Sequence, residues 1–155
     1  MSVAPKLGWH VASPYAEAQR TAEAILNLAR ELYAERRRRS RFFDIDLFGE
    51  PSWDILLDLY IAAREGRRVP TTSACIGAHV PPTTALRWLR MIEAKGLVER
   101  ESDGRDGRRT FVGLSRKGLA AMDEFLGSTR ARLLLEMATF AEAEAAANGE
   151  RMAAE

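Results

Sequence analysis

The chain has 155 residues, of which 46% are hydrophobic and 29% charged, with one cysteine, Cys75, and no apolar run longer than five residues. A chain of that length buries on the order of 70% of its unfolded surface, so it needs neither a disulfide framework nor a structural metal, and its composition excludes the disordered, collagen-like and membrane-spanning classes. Net charge is only +1, but residues 64–117 carry 12 basic and 6 acidic side chains while residues 118–155 carry 3 and 7.

The opening Met1–Ala12 has neither the cationic start nor the apolar stretch of a secretory signal, which predicts a flexible arm over residues 1–12, containing His10, and a cytoplasmic address. Ser13 before Pro14 reads as an N-cap with proline at the first helical position. Ile25, Leu28, Ala29, Leu32 and Tyr33 then recur at helical spacing up to the basic run Arg36, Arg37, Arg38, Arg39 and Arg41. Cations suit a helix C-terminus, so a solvated helix end is expected there, with phosphate contact as the alternative.

From Phe42 to Phe48 aromatic and aliphatic residues alternate with Asp44 and Asp46. No third carboxylate has ligand spacing, so no metal site is predicted. Residues 13–50 therefore read as an N-terminal helix and connector. Gly49 and Pro51 restart a helix whose stripe is Trp53, Leu56, Leu57, Tyr60 and Ile61, with Asp54 and Asp58 on the opposite face and Gly66 at the C-terminal stop. Trp53 lies within that stripe and reads as a core anchor.

Thr71 or Thr72 can cap a short helix to about Ala78, and Pro81 and Pro82 then break the chain. Cys75 reads as a small buried hydrophobe, and His79 at the corner as a packing or capping residue. A second helix from Thr83 or Thr84 to about Lys95 places Ala85, Trp88, Leu89 and Ile92 on one face. Thr83, Thr84, Leu86, Arg87 and Arg90 lie around the other. Hydroxyls near a helix N-terminus can meet phosphate oxygens, arginine can contact guanine bidentately, and an exposed leucine can meet a thymine methyl. Such a face suits a DNA major groove.

Gly96 ends the helix, and Leu97 to Arg100 and Thr110 to Leu114 read as a hairpin. Its loop holds Arg105, Arg108 and Arg109 beside Asp103 and Asp106, which can orient guanidiniums by pairing. Ser115 caps a long helical segment with Leu119, Met122, Leu126, Leu133, Met137 and Phe140, expected to be interrupted at Gly127 and to fade into a tail at residues 148–155.

The order helix-turn-helix, Glu93-Ala94-Lys95-Gly96-Leu97-Val98-Glu99-Arg100, Asp103-Gly104-Arg105-Asp106-Gly107-Arg108 and Leu114-Ser115-Arg116-Lys117-Gly118 resembles the winged helix-turn-helix of MarR-type bacterial transcriptional regulators. The D-x-R-D-x-R wing is its most specific element, and the likeness covers about Pro51 to Leu126. It implies a mainly α fold with a small β-hairpin wing (α+β), a DNA-binding domain at residues 51–115, and dimerisation helices at residues 13–50 and 116–147. It implies a homodimeric repressor on a pseudo-palindromic double-stranded DNA operator. Thr83, Thr84, Arg87 and Arg90 become recognition-helix positions, beside the exposed Leu86 read from the helix face. Arg105 and Arg108 become wing positions oriented by Asp103 and Asp106, with Arg109 next to them in the loop. It also allows a small aromatic or phenolic effector. The Pro81-Pro82 pair, His79, the arginine run and the aromatic connector depart from the family pattern.

Self-association also follows from the residues. A core of about 70 residues cannot cover the apolar stripes of both terminal segments. No Walker loop, G-x-S-x-G, H-E-x-x-H or paired cysteines occur, so neither enzymatic activity nor a cofactor is expected. The rival reading is a winged-helix module that binds another protein instead of DNA.

Overall fold

The computed structural model describes residues 14–104, 106 and 109–153. The arm at residues 1–12, His10 within it and the wing arginines Arg105 and Arg108 lie outside the described residues. Helix α1 (Pro14–Arg39) leads through a 3-10 turn (Ile45–Phe48) to α2 (Pro51–Arg64) and a two-residue strand β1 (Val69–Pro70). Then come α3 (Thr71–Gly77), α4 (Pro82–Ala94), the hairpin strands β2 (Val98–Ser102) and β3 (Thr110–Leu114), and α5 (Arg116–Ala153). The sheet runs β1-β3-β2 and is antiparallel, with Val69 opposite Val112 and Val98 opposite Leu114. The architecture is mainly α with a small β wing.

Helix α2 carries two cores, one on each side. Ile55, Leu59 and Ala62 pack with Ala74, Cys75, Ala85, Leu89, Ile92, Val98 and Val112, which joins α2 to α3, α4 and the sheet. Leu57, Tyr60 and Ile61 pack with Leu26, Ala29, Met122 and Leu126, which joins it to α1 and α5. Trp53 sits at the rim of the second core with its ring edge-on to Phe125 at 5.2 Å.

A helix buried on two sides has little room for a wet face, and this corrects the expectation for Asp54 and Asp58. Asp54 is 5% exposed and Asp58 is half-buried. The arginine run of α1 explains why Asp54 can be buried. Arg36 Nε lies 2.6 Å from Asp54 Oδ1 and its Nη1 2.5 Å from Glu50, and Arg37 Nη2 approaches Asp54 to 2.8 Å without hydrogen-bond alignment. Arg38 and Arg39 pair with Glu31 and Glu35 on their own helix. The Arg36 side chain is only 6% exposed and Arg37 26%, so these two are not part of a free solvated end, whereas Arg38 and Arg41 are exposed as expected. Paired charges tolerate desolvation that a single one does not.

Both predicted glycine stops have the backbone that requires them. Gly66 and Gly96 have φ of 67° and 73°. After α2, Gly66 N donates to Ala63 O and Arg67 N to Ala62 O; after α4, Gly96 N donates to Glu93 O and Leu97 N to Ile92 O. These are the paired bonds that close a helix through a left-handed residue. Ser115 caps α5, its Oγ accepting from Gly118 N at 3.0 Å while donating to Gly96 O at 2.6 Å.

Other expectations shift. Helix α3 is capped by Pro70 without a side-chain bond, and the Thr71 hydroxyl instead reaches the Thr110 carbonyl on β3 at 3.1 Å. Helix α4 begins at Pro82, because proline at the first helical position has no donor to lose. Strand β2 extends to Ser102, two residues past the expected end. Strand β1 was not expected, since two residues carry no periodicity. Helix α5 continues through Gly127, whose would-be Cβ meets only Ile25 Cδ1 at 3.9 Å. One glycine costs about 1 kcal/mol in a helix, too little to stop so long a run of good helix formers. The helix also continues to Ala153, past the start of the expected tail.

Candidate nucleic-acid interface

Helix α4 owes its two faces to the spacing of its residues. Ala85, Leu89 and Ile92 are buried and hold the helix to the core. Thr83, Arg87 and Arg90, at i, i+4 and i+7, form an exposed row on the other side. Neither arginine has an ion pair among the described residues, so both guanidiniums are available to an incoming anion. Thr84 is half-buried. Leu86 is half-buried too and packs against the core, so the exposed leucine expected from the sequence is not there. Its position on the helix lies close enough to the buried row for neighbouring side chains to cover it.

The wing is anchored to this helix. Arg100 on β2 pairs with Glu93 on α4 at 3.1 Å. At the tip, Asp103 N donates to Arg109 O and Arg109 N to Asp106 O, which closes the turn through the backbone. Exposed Arg109 lies with its guanidinium 5.3 Å from the Phe111 ring centre. Arg68 covers the same ring at 3.9 Å and reaches Glu101 at 3.3 Å. The sequence reading missed Arg68, which adds a second exposed cation at the wing base; the arginine pair before Val69 was its only signal.

The corner between α3 and α4 is rigid. Pro81 and Pro82 fix successive φ angles, and His79 adopts φ 52°, the left-handed region uncommon for a side chain of this size. The Tyr33 hydroxyl of α1 donates to Gly77 O at 3.2 Å and lies 3.4 Å from His79 Nε2. Burial and the nearby Arg37 charge lower the His79 pKa below the ordinary histidine value, against a smaller opposing pull from Asp54. Burial raises the Cys75 thiol, which keeps it protonated and packed.

Between the end of α1, the connector and this corner lies a cavity of about 430 Å³ lined by Arg36, Arg37, Arg39, Phe48, Asp54 and His79, among others. Arg37 Nε is buried there without a hydrogen-bond acceptor. Among the described residues no group of three or more His, Cys, Asp and Glu side chains is placed to hold a metal, and no helix is long and apolar enough to cross a membrane.

No family model and no curated protein sequence matches the chain. Among solved structures it is similar to the transcriptional regulator Tm0710 from Thermotoga maritima, with TM-score 0.50 and 18% identity over 81% of this chain and 79% of that one. It also matches S. aureus MepR in its DNA-binding conformation, with TM-score 0.46 and 17% identity over 90% and 96% of the two chains. The S. aureus MepR–DNA complex matches with TM-score 0.45 and 18% identity over 91% and 94%. The likeness to Tm0710 shows the fold.

Proposed function

We propose that the chain is a MarR-type, sequence-specific transcriptional repressor that binds double-stranded DNA as a homodimer. The observation that carries this is the exposed row Thr83, Arg87 and Arg90 on α4, opposite a fully buried row and beside a cationic hairpin. A helix packed only for stability gains nothing from two unpaired arginines on one line, whereas a major groove offers guanine O6 and N7 to each of them. The wing cations, Arg109 with Arg105 and Arg108, then lie against the minor groove or its phosphates.

Two copies are needed because α5 leaves its second half bare. Leu133, Leu134, Leu135, Met137 and Phe140 are between 46% and 70% exposed. An apolar surface of that extent on a chain of this size favours association, and a two-fold dimer places recognition helices about 34 Å apart on a pseudo-palindromic site. A small aromatic or phenolic effector, as the family likeness suggests, has room in the cavity beside Phe48, whose arginine lining suits an acidic group.

The test is duplex binding by the intact protein against the DNA upstream of its own coding region. Salt-sensitive binding is expected for the unmodified protein, with a slope of log K against log salt of roughly −7 if each subunit neutralises about four phosphates. Replacing Arg87 and Arg90 together by alanine should abolish it. Negligible affinity of the unmodified protein at moderate salt would favour the protein-binding module instead.

A further inference from the structure

We propose that Tyr33 is a positioning residue for DNA binding: from α1 its hydroxyl holds the corner at Gly77 and His79 and so fixes the angle at which α4 is presented. This rests on the DNA-binding reading.

Ala78 and Val80 pack the corner against the core, but its polar ties to the rest of the molecule are few. Helix α3 is only seven residues long, and a single turn at residues 78–79 follows it. His79 N donates to Ile76 O at 3.1 Å, and the chain then enters the proline pair, which offers no donors. The Gly77 carbonyl is satisfied from outside, by the Tyr33 hydroxyl. The other described side-chain hydrogen bonds and ion pairs that leave α1 end on Glu50, Asp54 or Glu65, within or flanking α2, so Tyr33 alone among the described residues reaches from α1 to the corner.

The ring that carries the hydroxyl is itself held. The Arg37 guanidinium lies 4.8 Å over it and is anchored by Asp54 beneath. The fit at the corner is close: a Cβ at Gly77 would fall 2.9 Å from Asp58 Oδ2 and 3.6 Å from the Tyr33 oxygen. From Gly77 the chain reaches the start of α4 through Ala78, the left-handed His79 and the proline pair, so the position of Gly77 bears on where α4 begins. Displacement of α1, by a partner copy or by an occupant of the adjoining cavity, would therefore reach the DNA-facing row through one hydroxyl.

The test is Tyr33→Phe in the full chain, which keeps the ring under Arg37 and removes only the hydroxyl. Amide hydrogen exchange at Ala78, His79, Val80 and Thr83 should accelerate roughly fivefold, the effect of losing one hydrogen bond, while amides of β3 and α5 are unchanged. Duplex affinity should weaken roughly fivefold with the salt slope and the base preference unchanged, because no phosphate or base contact is lost; Arg87→Ala, by contrast, should weaken binding roughly tenfold or more and relax discrimination at the base it reads. A merely structural role would lower the melting temperature but would move neither the corner amides selectively nor the affinity of the folded dimer. Unchanged exchange and affinity in a protein that binds duplex DNA would overturn the role of Tyr33 alone. Faster corner exchange in a protein that binds no duplex would overturn the DNA-binding reading, and this role with it.

Discussion

Asp58 is a half-buried carboxylate that burial shifts upward in pKa, with Arg67 and Arg37 close enough to moderate the shift, yet it forms no ion pair among the described residues. A raised value means that the folded state prefers the protonated form. Its favourable contribution is therefore present below the ordinary carboxylate value and lost as pH rises through the raised one. At neutral pH the charge is a cost, so Asp58→Asn should stabilise the protein at pH 7, and the gain should shrink towards zero near about pH 4. Urea midpoints at the two pH values decide this; an equal gain at both would contradict it. Two other residues act through the backbone. His79 pays for its left-handed φ, so His79→Gly should be tolerated better than His79→Ala by about 1 kcal/mol. Gly118 leaves no space, since a Cβ there would lie 1.9 Å from Leu97 O. Gly118→Ala should cost about 3 kcal/mol, the upper range for overpacking, and loosen the wing at its base; a midpoint shift under a third of that would show that the strand yields easily.

At the scale of elements, α2 ties the molecule together, and its buried charges are the part least legible in the sequence. Periodicity placed Trp53, Leu56, Leu57, Tyr60 and Ile61 on one face, but it could not show that Ile55, Leu59 and Ala62 are covered as well, because that depends on α3 and α4 folding back. Asp54 followed the same error: a carboxylate opposite an apolar stripe looks solvated until Arg36 arrives from another helix. Arg36→Ala should cost about 3 kcal/mol, towards the low end for breaking a buried pair because Arg37 remains near Asp54. The effect should appear in thermal unfolding, and a loss under 1 kcal/mol would place the pair in solvent. In α4 the opposite holds. Its buried row and its exposed Thr83, Arg87 and Arg90 follow from a 3.6-residue repeat alone, and the half-buried Thr84 and Leu86, at the boundary between faces, were misjudged. The glycine stops and the Ser115 cap were legible too, since each rests on local backbone chemistry. The short β1 and the clamp at Tyr33 are products of tertiary approach and left no local trace.

Across the whole molecule the charge is divided by position. The surplus of basic residues lies in the segment 64–117 that holds α4 and the wing, and the acidic surplus in α5 and the residues after it. A polyanion is thus drawn to the segment that carries α4 and the wing, while the exposed apolar half of α5 is left for a second copy. Replacing Leu134 and Met137 by glutamate should convert a dimer to monomers in sedimentation at micromolar concentration and weaken duplex binding by orders of magnitude, since one half-site alone holds far less. A dimer that survives both changes would place its interface elsewhere.

The central claim, that paired copies of α4 read successive major grooves, is tested most directly by hydroxyl-radical footprinting of the intact protein on the DNA upstream of its coding region. Two protected patches are expected on one side of the duplex with centres about 34 Å apart, both lost on replacing Arg87 and Arg90 by alanine. A single patch, protection that ignores those two arginines, or no protection in dilute salt would contradict it.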